Sequence, residues 1–274
     1  MTRIALAQIT SSIEKTANLK LAKELISEAK RKGAELIAFP EFLMAFSPQS
    51  QSPEELADIA EATDGPFTAS LSEAARTQGI HVLATIYEPS NVPNRVYDTA
   101  LWIDSAGTIA AVYRKLHLYD ALGFKESDKF AAGAKLTPPL ETNIGRIGMM
   151  ICYDLRFPEL SRLLTLMGAE VLVSPSGWVQ GDMKVEHWQT MVRARALENG
   201  CYVIAPGQVG NIYIGHSMVA DPFGSVAIDM GERRGLEIVD LDLARVAEVR
   251  EKLPLIKNRR ADIYGKAVFT VESA

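Results

Sequence analysis

Three apolar runs in this chain give out at side chains able to do chemistry. Gly148-Met149-Met150-Ile151 leads to Cys152, Leu36-Ile37-Ala38-Phe39-Pro40 leads to Glu41, and the segment ending Tyr113-Arg114 leads to Lys115. Open α/β sheets gather their sites at the carboxyl ends of strands. A thiol, a carboxylate and an ammonium at three such ends say more together than any one of them alone. Cys152 falls where a strand runs into a turn, with Pro158 suited to the first position of a following helix. Unpaired backbone N–H groups and a positive dipole end there favour a thiolate, and the same N–H groups can receive an oxyanion. Glu41 lies between Phe39 and Phe42, where desolvation suits a general base. Taken singly, Cys152 also reads as a core cysteine, Glu41 as a loop glutamate and Lys115 as part of a solvated basic turn. Cys201 follows Gly200 and opens the apolar run Tyr202-Val203-Ile204-Ala205, which makes it a small core residue.

Other chemistries find little footing. The four histidines, His81, His117, His187 and His216, show no paired spacing, and there is no Cys-x-x-Cys for a metal. No glycine-rich phosphate loop with a following Lys-Ser/Thr is present. A cysteine–histidine hydrolase stays open, with His117, His187 or His216 as base.

The elements that must position these groups alternate. Ile4 to Ile9, Leu36 to Phe39, Ile80 to Tyr87, Ile147 to Ile151 and Val171 to Ser174 read as strands. Lys15 to Arg31, Phe67 to Thr77, Pro158 to Met167 and Lys184 to Asn199 read as helices, several closed by glycine. Val96 to Asp104 and Thr108 to Tyr113 form a hairpin around Ser105-Ala106-Gly107. Short strands at Tyr202 to Ala205, His216 to Ala220, Val226 to Asp229 and Leu236 to Asp240 follow, with Asp221-Pro222-Phe223-Gly224 as a turn. The expectation is an α/β layered domain with a mixed sheet or two stacked sheets, one domain over 1–274, and a tail from about 253 to 274 that docks on the domain or on a partner chain.

Bulk properties agree. The 274 residues are 47% hydrophobic, enough for a real core. A formal charge of -5 argues against a nucleic-acid binder. Two cysteines argue against a disulfide scaffold and suit a reducing compartment. The apolar run Ile4 to Ala7 is too short for a signal-peptide core, and no stretch is long enough to span a bilayer. A cytoplasmic protein without membrane or nucleic-acid partners is expected.

With these residues in view the chain resembles the nitrilase superfamily of carbon–nitrogen hydrolases, in its Nit-type amidase branch. The resemblance rests on Phe39-Pro40-Glu41, on Tyr113 through Asp120, on Glu126-Ser127, and on Cys152-Tyr153-Asp154-Leu155-Arg156-Phe157-Pro158-Glu159. His187-Trp188, Arg193 through Asn199, Gly215 through Met218 and Asp221 through Gly224 extend it over nearly the whole chain. It implies a four-layer αββα sandwich of two mixed β-sheets flanked by helices, a homodimer or higher homo-oligomer, and no metal or organic cofactor. It also implies a Glu–Lys–Cys triad at Glu41, Lys115 and Cys152, with Glu126 as a second glutamate of the site.

The implied activity is hydrolysis of a small carboxamide with water through a thioester. The substrates it brings to mind are an ω-amide of a keto acid, deaminated glutathione or a short aliphatic amide. A carbamoyl-amide hydrolase, a nitrilase and a non-catalytic protein retaining the fold are the alternatives. Tyr153, where nitrilases usually carry tryptophan, favours amides. The short loop Ala121-Leu122-Gly123-Phe124-Lys125 and the stretch Ser176-Gly177-Trp178-Val179 depart from the family's usual pattern. Tyr153, Trp178 and Phe124 are expected at the substrate, the last two as apolar walls. For an acidic substrate the candidate cations are Arg193 and Arg195, which point apart on one helix, and Arg156, with Asp154 and Glu159 as its nearest partners.

Overall fold

The computed structural model describes residues 1–264. Its first half runs β1 (Thr2–Gln8), α1 (Lys15–Arg31), β2 (Leu36–Ala38), α2 (Pro53–Asp58), α3 (Pro66–Gln78), β3 (His81–Pro89), β4 (Val96–Ile103) and β5 (Ile109–Arg114). The second half runs β6 (Leu140–Thr142), β7 (Gly145–Met149), α4 (Pro158–Leu166), β8 (Val171–Val173), α5 (Lys184–Asn199), β9 (Tyr202–Ala205), β10 (Val209–Gly210), β11 (Tyr213–Ile214), β12 (Met218–Ala220), β13 (Val226–Asp229), β14 (Gly235–Leu241), α6 (Ala244–Lys252) and α7 (Ala261–Tyr264).

Two six-stranded sheets result, ordered β14-β1-β2-β3-β4-β5 and β13-β12-β9-β8-β7-β6. In each, three adjacent strands are parallel and the outer pairings antiparallel: β1, β2 and β3 in the first, β7, β8 and β9 in the second. Parallel strands need crossovers, and α1, α3, α4 and α5 supply them.

Strand periodicity sorts the side chains into layers. On β1, Ile4 and Leu6 join Leu36 and Leu83 in a core shared with Ile147, Met149, Val171 and Ile204 of the other sheet. Ala5 and Ala7, one residue out of phase, face the opposite way with Ile37, Val82 and the α1 and α3 residues Ala22, Ile26, Leu71 and Ala75. Both faces of the parallel strands are buried, which is why those strands read as unbroken apolar runs. The architecture is an αββα sandwich of two mixed sheets, as the resemblance implies.

Most expected elements fall within a residue or two of their observed bounds. His216 lies outside β12, at a left-handed turn (φ 55°). α2, β6, the β10–β11 hairpin and α6 were not anticipated, being short or only weakly periodic. Of the expected tail, 253–264 forms turns and α7, and 265–274 lies outside the described residues. Among the described residues no helix is long and apolar enough to cross a membrane.

Candidate active site

Glu41 directly follows Phe39-Pro40, three residues past the end of β2, in a turn closed by Phe42 at φ 62°. That turn is braced on both sides. The Thr85 hydroxyl donates to the Pro40 carbonyl at 3.2 Å and accepts from Leu43 N–H at 3.1 Å. Gln208 Nε2 donates to the Glu41 carbonyl at 2.9 Å. Lys115 follows β5, and its own N–H donates to the Asp98 carbonyl at 2.9 Å.

The nucleophile's turn hangs from the second sheet. Ile151 is extended, Cys152 takes φ 45°, and Cys152 to Arg156 wind as a 3-10 turn before α4 starts at Pro158. A positive φ on a residue with a Cβ is a strained state that its surroundings must enforce. Asp154 does much of the enforcing. Fully buried, it accepts from Ile151 N–H at 2.9 Å, Tyr113 Oη at 2.7 Å, His117 N–H at 3.1 Å and His117 Nδ1 at 2.7 Å. From the other side, Arg195 Nε of α5 donates to the Leu155 carbonyl at 2.8 Å.

These supports bring four groups together. Lys115 Nζ lies 2.8 Å from Glu41 Oε1 and 2.7 Å from Glu126 Oε1, with its side chain only 1% exposed. The second Glu41 oxygen accepts from Gly177 N–H at 2.6 Å, and Glu41 and Cys152 line the same cavity. The second Glu126 oxygen accepts from Tyr119 N–H at 2.6 Å. Cys152 N–H donates to the Pro175 carbonyl at 3.0 Å, whereas the Tyr153 N–H has no acceptor among the described residues.

Burial alone would discharge the Lys115 ammonium, but Glu126 and Glu41 outweigh it and raise its pKa well above that of an ordinary lysine. Burial also raises Glu126. The Cys152 thiol is pushed well up, first by burial and then by Glu41, against the opposing pull of Lys115. This corrects the expected ready-made thiolate: desolvation and two carboxylates outweigh the local dipoles, and α4 begins too late to help. At neutral pH the thiol is protonated, with a carboxylate waiting beside it. Cys201, with no such partner, is a buried core thiol raised to about 12, chiefly by burial.

Above the four groups opens a cavity of about 360 Å³. Phe42, Tyr119, Phe124, Phe130 and Tyr213 give it apolar walls, and Ser47, Gln49, Lys125, Asp128 and Lys129 form its polar side. Phe124 lines this cavity, stacked on Tyr119 at 5.5 Å. Trp178 and Tyr153 are not in this cavity. They line an adjoining narrow niche of about 20 Å³ that shares Tyr119, Cys152, Gly177 and Val179 with the cavity, and there the indole N–H donates to the Lys184 carbonyl at 2.9 Å.

The arginines differ too. Arg156 pairs with neither Asp154 nor Glu159; its guanidinium lies over Trp178 at 4.7 Å, since Asp154 is already taken. Arg193 Nε donates to the Gly224 carbonyl and Arg195 Nη1 to Glu198, both away from the cavity. His117 is bound to Asp154 and stacked on Phe157 at 3.6 Å, and His216 pairs with Asp229. No histidine borders either space. Sequence reasoning passed over Phe42, Gly177, Tyr213 and Lys129. Phe42 alone left a signal, as the residue next to Glu41.

A buried thiol beneath a cavity in an αββα sandwich defines a class of layered cysteine hydrolases. Residues 3–251 match the carbon–nitrogen hydrolase family. The chain belongs to that family, and it is a hydrolase of carbon–nitrogen bonds other than peptide bonds. It is 38% identical over 278 residues to the deaminated glutathione amidase of Rattus norvegicus, covering 96% of this chain and 83% of the relative. The NitFhit protein of C. elegans superposes with a TM-score of 0.88 at 36% identity, over 96% of this chain and 66% of that one. An amidase from Nesterenkonia sp. AN1, 26% identical with a TM-score of 0.80 over 97% of each chain, carries the acetamide moiety of fluoroacetamide added covalently at its active-site cysteine.

Asp154 holds the nucleophile's turn by satisfying four donors at once. Each buried donor left without an acceptor costs about 1–3 kcal/mol. Asp154→Ala is therefore expected to lower the unfolding free energy by at least about 3 kcal/mol, read by urea denaturation. A loss under about 1 kcal/mol means that the donors find other partners and Asp154 is not the brace.

Proposed function

We propose that the chain is an amidase that cleaves a small carboxamide through a thioester on Cys152, and that its substrate carries a carboxylate away from the amide. The observation that carries the catalytic part is the Glu41–Lys115 pair, 2.8 Å apart, lining one cavity with the Cys152 thiol. Glu41 takes the thiol proton, and Cys152 Sγ bonds to the amide carbon. The negative charge on the amide oxygen falls to the Lys115 ammonium and the free Tyr153 N–H. Glu41 returns the proton to the departing nitrogen, which leaves a primary amide as ammonia. Water, deprotonated by Glu41, then attacks the thioester and releases the acid and the thiol. Glu126 anchors Lys115 and borders the cavity, where it can accept from the amide N–H.

The carboxylate is argued from Lys129. Its Nζ donates to Ser47 Oγ at 3.2 Å and the Pro48 carbonyl at 2.7 Å. It has no carboxylate within 4.0 Å among the described residues, whereas Lys125 on the same wall is paired with Asp128. Partial burial lowers the Lys129 pKa, so an incoming anion relieves it. Deaminated glutathione, in the name of the rat relative, and ω-amides of keto acids both fit that description.

The proposal also places the protein in the cytoplasm as a homodimer. Two free cysteines suit the compartment. The exposed Leu163, Leu166 and Met167 near α4 and Leu197 on α5 offer an apolar face to a second copy. Sedimentation equilibrium showing only monomer at micromolar concentration overturns the dimer.

Cys152→Ala is expected to fold and to lose turnover, and Glu41→Gln to lose kcat, in assays of amide, carbamoyl and nitrile panels for ammonia and released acid. Turnover confined to nitriles or carbamoyl compounds, or near-normal kcat in either variant, overturns the amidase mechanism. Lys129→Ala is expected to raise KM about tenfold or more for a carboxylate-bearing amide, while leaving neutral amides within a few-fold. An equal change for both kinds of amide removes Lys129 from substrate recognition.

A further inference from the structure

Asp98 is a buried acid beside the site with no part in the steps above. It lies on β4 opposite Tyr87 of β3, and its side chain is 1% exposed. Neither carboxyl oxygen has a hydrogen-bond donor among the described residues. The nearest cation, Lys115 Nζ, is 3.9 Å from Oδ2, beyond hydrogen-bond reach, and directs its bonds to Glu41 and Glu126 instead. A charged Asp98 would be a third buried carboxylate around one ammonium, with only that shared Lys115, 3.9 Å away, to offset its desolvation.

The groups that face it are Glu41, Lys115, Glu126 and the Tyr87 hydroxyl, which is committed to the Ala45 carbonyl at 2.6 Å. Asp98 Oδ2 and Glu41 Oε1 lie 3.9 and 2.8 Å from the same Lys115 Nζ, which makes the two carboxyls neighbours. Two carboxylates have no hydrogen to share, so this contact needs a proton. Glu41 already accepts on both oxygens, from Lys115 and from Gly177 N–H, which leaves Asp98 as the proton's carrier. Burial, then Glu41, pushes the Asp98 carboxyl well above the ordinary carboxylate range.

We propose that Asp98 is a positioning residue for Glu41: a neutral carboxylic acid whose O–H donates to the Glu41 carboxylate and so fixes the lone pair that faces the Cys152 thiol. A carboxylate has about four acceptor positions. Lys115, Gly177 and Asp98 occupy three, and the fourth is left for the thiol proton. When rising pH strips the Asp98 proton, the donor becomes a like charge and the bond is lost, which sets an upper pH limit on turnover. The inference rests on Glu41 acting as the base.

Asp98→Asn keeps a donor that does not titrate, and Asp98→Ala keeps none. Both are compared with wild type for kcat and KM against pH on the best carboxamide, and for alkylation of Cys152 by iodoacetamide, after unfolding midpoints show each to be folded. Asp98→Asn is expected to hold neutral-pH kcat within a few-fold and to extend activity to higher pH. Asp98→Ala is expected to lose about 10–100-fold in kcat with KM little changed, and to alkylate more slowly. Equal losses of kcat in the two variants, wild-type kcat in Asp98→Ala, or an upper pH limit unmoved in Asp98→Asn overturn the proposal. Near-normal kcat in Glu41→Gln brings down the base reading by itself; alkylation then decides Asp98, and equal rates in all three proteins overturn it.

Discussion

The Lys115 ammonium is shut away from water between Glu41 and Glu126. Desolvating an ion costs several kcal/mol, and the geometry of its partners must return most of it. Much of the nearby structure serves that requirement. Glu41 is gripped through its backbone by Gln208 and through its turn by Thr85. Glu126 is tied by Tyr119 N–H. A displacement of either carboxylate leaves a buried charge unpaired, so the cluster stands or falls together. The same arrangement explains why the thiol is protonated at rest: the carboxylates that keep the lysine charged also oppose a second negative charge on sulfur.

Gly177 shows how tight the margins are. A Cβ there would sit 2.8 Å from the Phe42 ring and 2.9 Å from the Tyr213 ring. Only a bare backbone can enter between those rings and bring its N–H to Glu41. The chain therefore gives up a side chain at the cavity wall to complete the carboxylate's hydrogen bonding.

The sandwich was legible because parallel strands buried on both faces leave continuous apolar runs, and the long helices leave a 3.6-residue period. Glu41, Lys115 and Cys152 were legible as neighbours because a sheet brings its strand ends together. The cavity walls were not, for a reason of parity. Residues 176–179 run extended, bridged at Ser176 to Gly207 and at Val179 to Tyr213. Gly177 and Val179 border the cavity, and Trp178, one residue out of phase, turns its indole away. The large side chain drew attention, and the small ones beside it make the wall. Lys129 and Asp98 become informative only through what surrounds them: one lacks an anion, the other a donor.

Glu41 and Lys115 belong to one sheet, while Cys152 and Gly177 belong to the other. The contacts between acid, thiol and backbone amide thus span the seam of the sandwich. Among the described residues no strand pairing joins the two sheets there; packed side chains and a few hydrogen bonds, from Gly177 N–H and Gln208 to Glu41 and from Tyr113 to Asp154, set their offset. Turnover therefore acts as a vernier for that offset. A slip of a fraction of a side chain, too small to alter either sheet's own hydrogen bonding, is enough to part the thiol from its carboxylate.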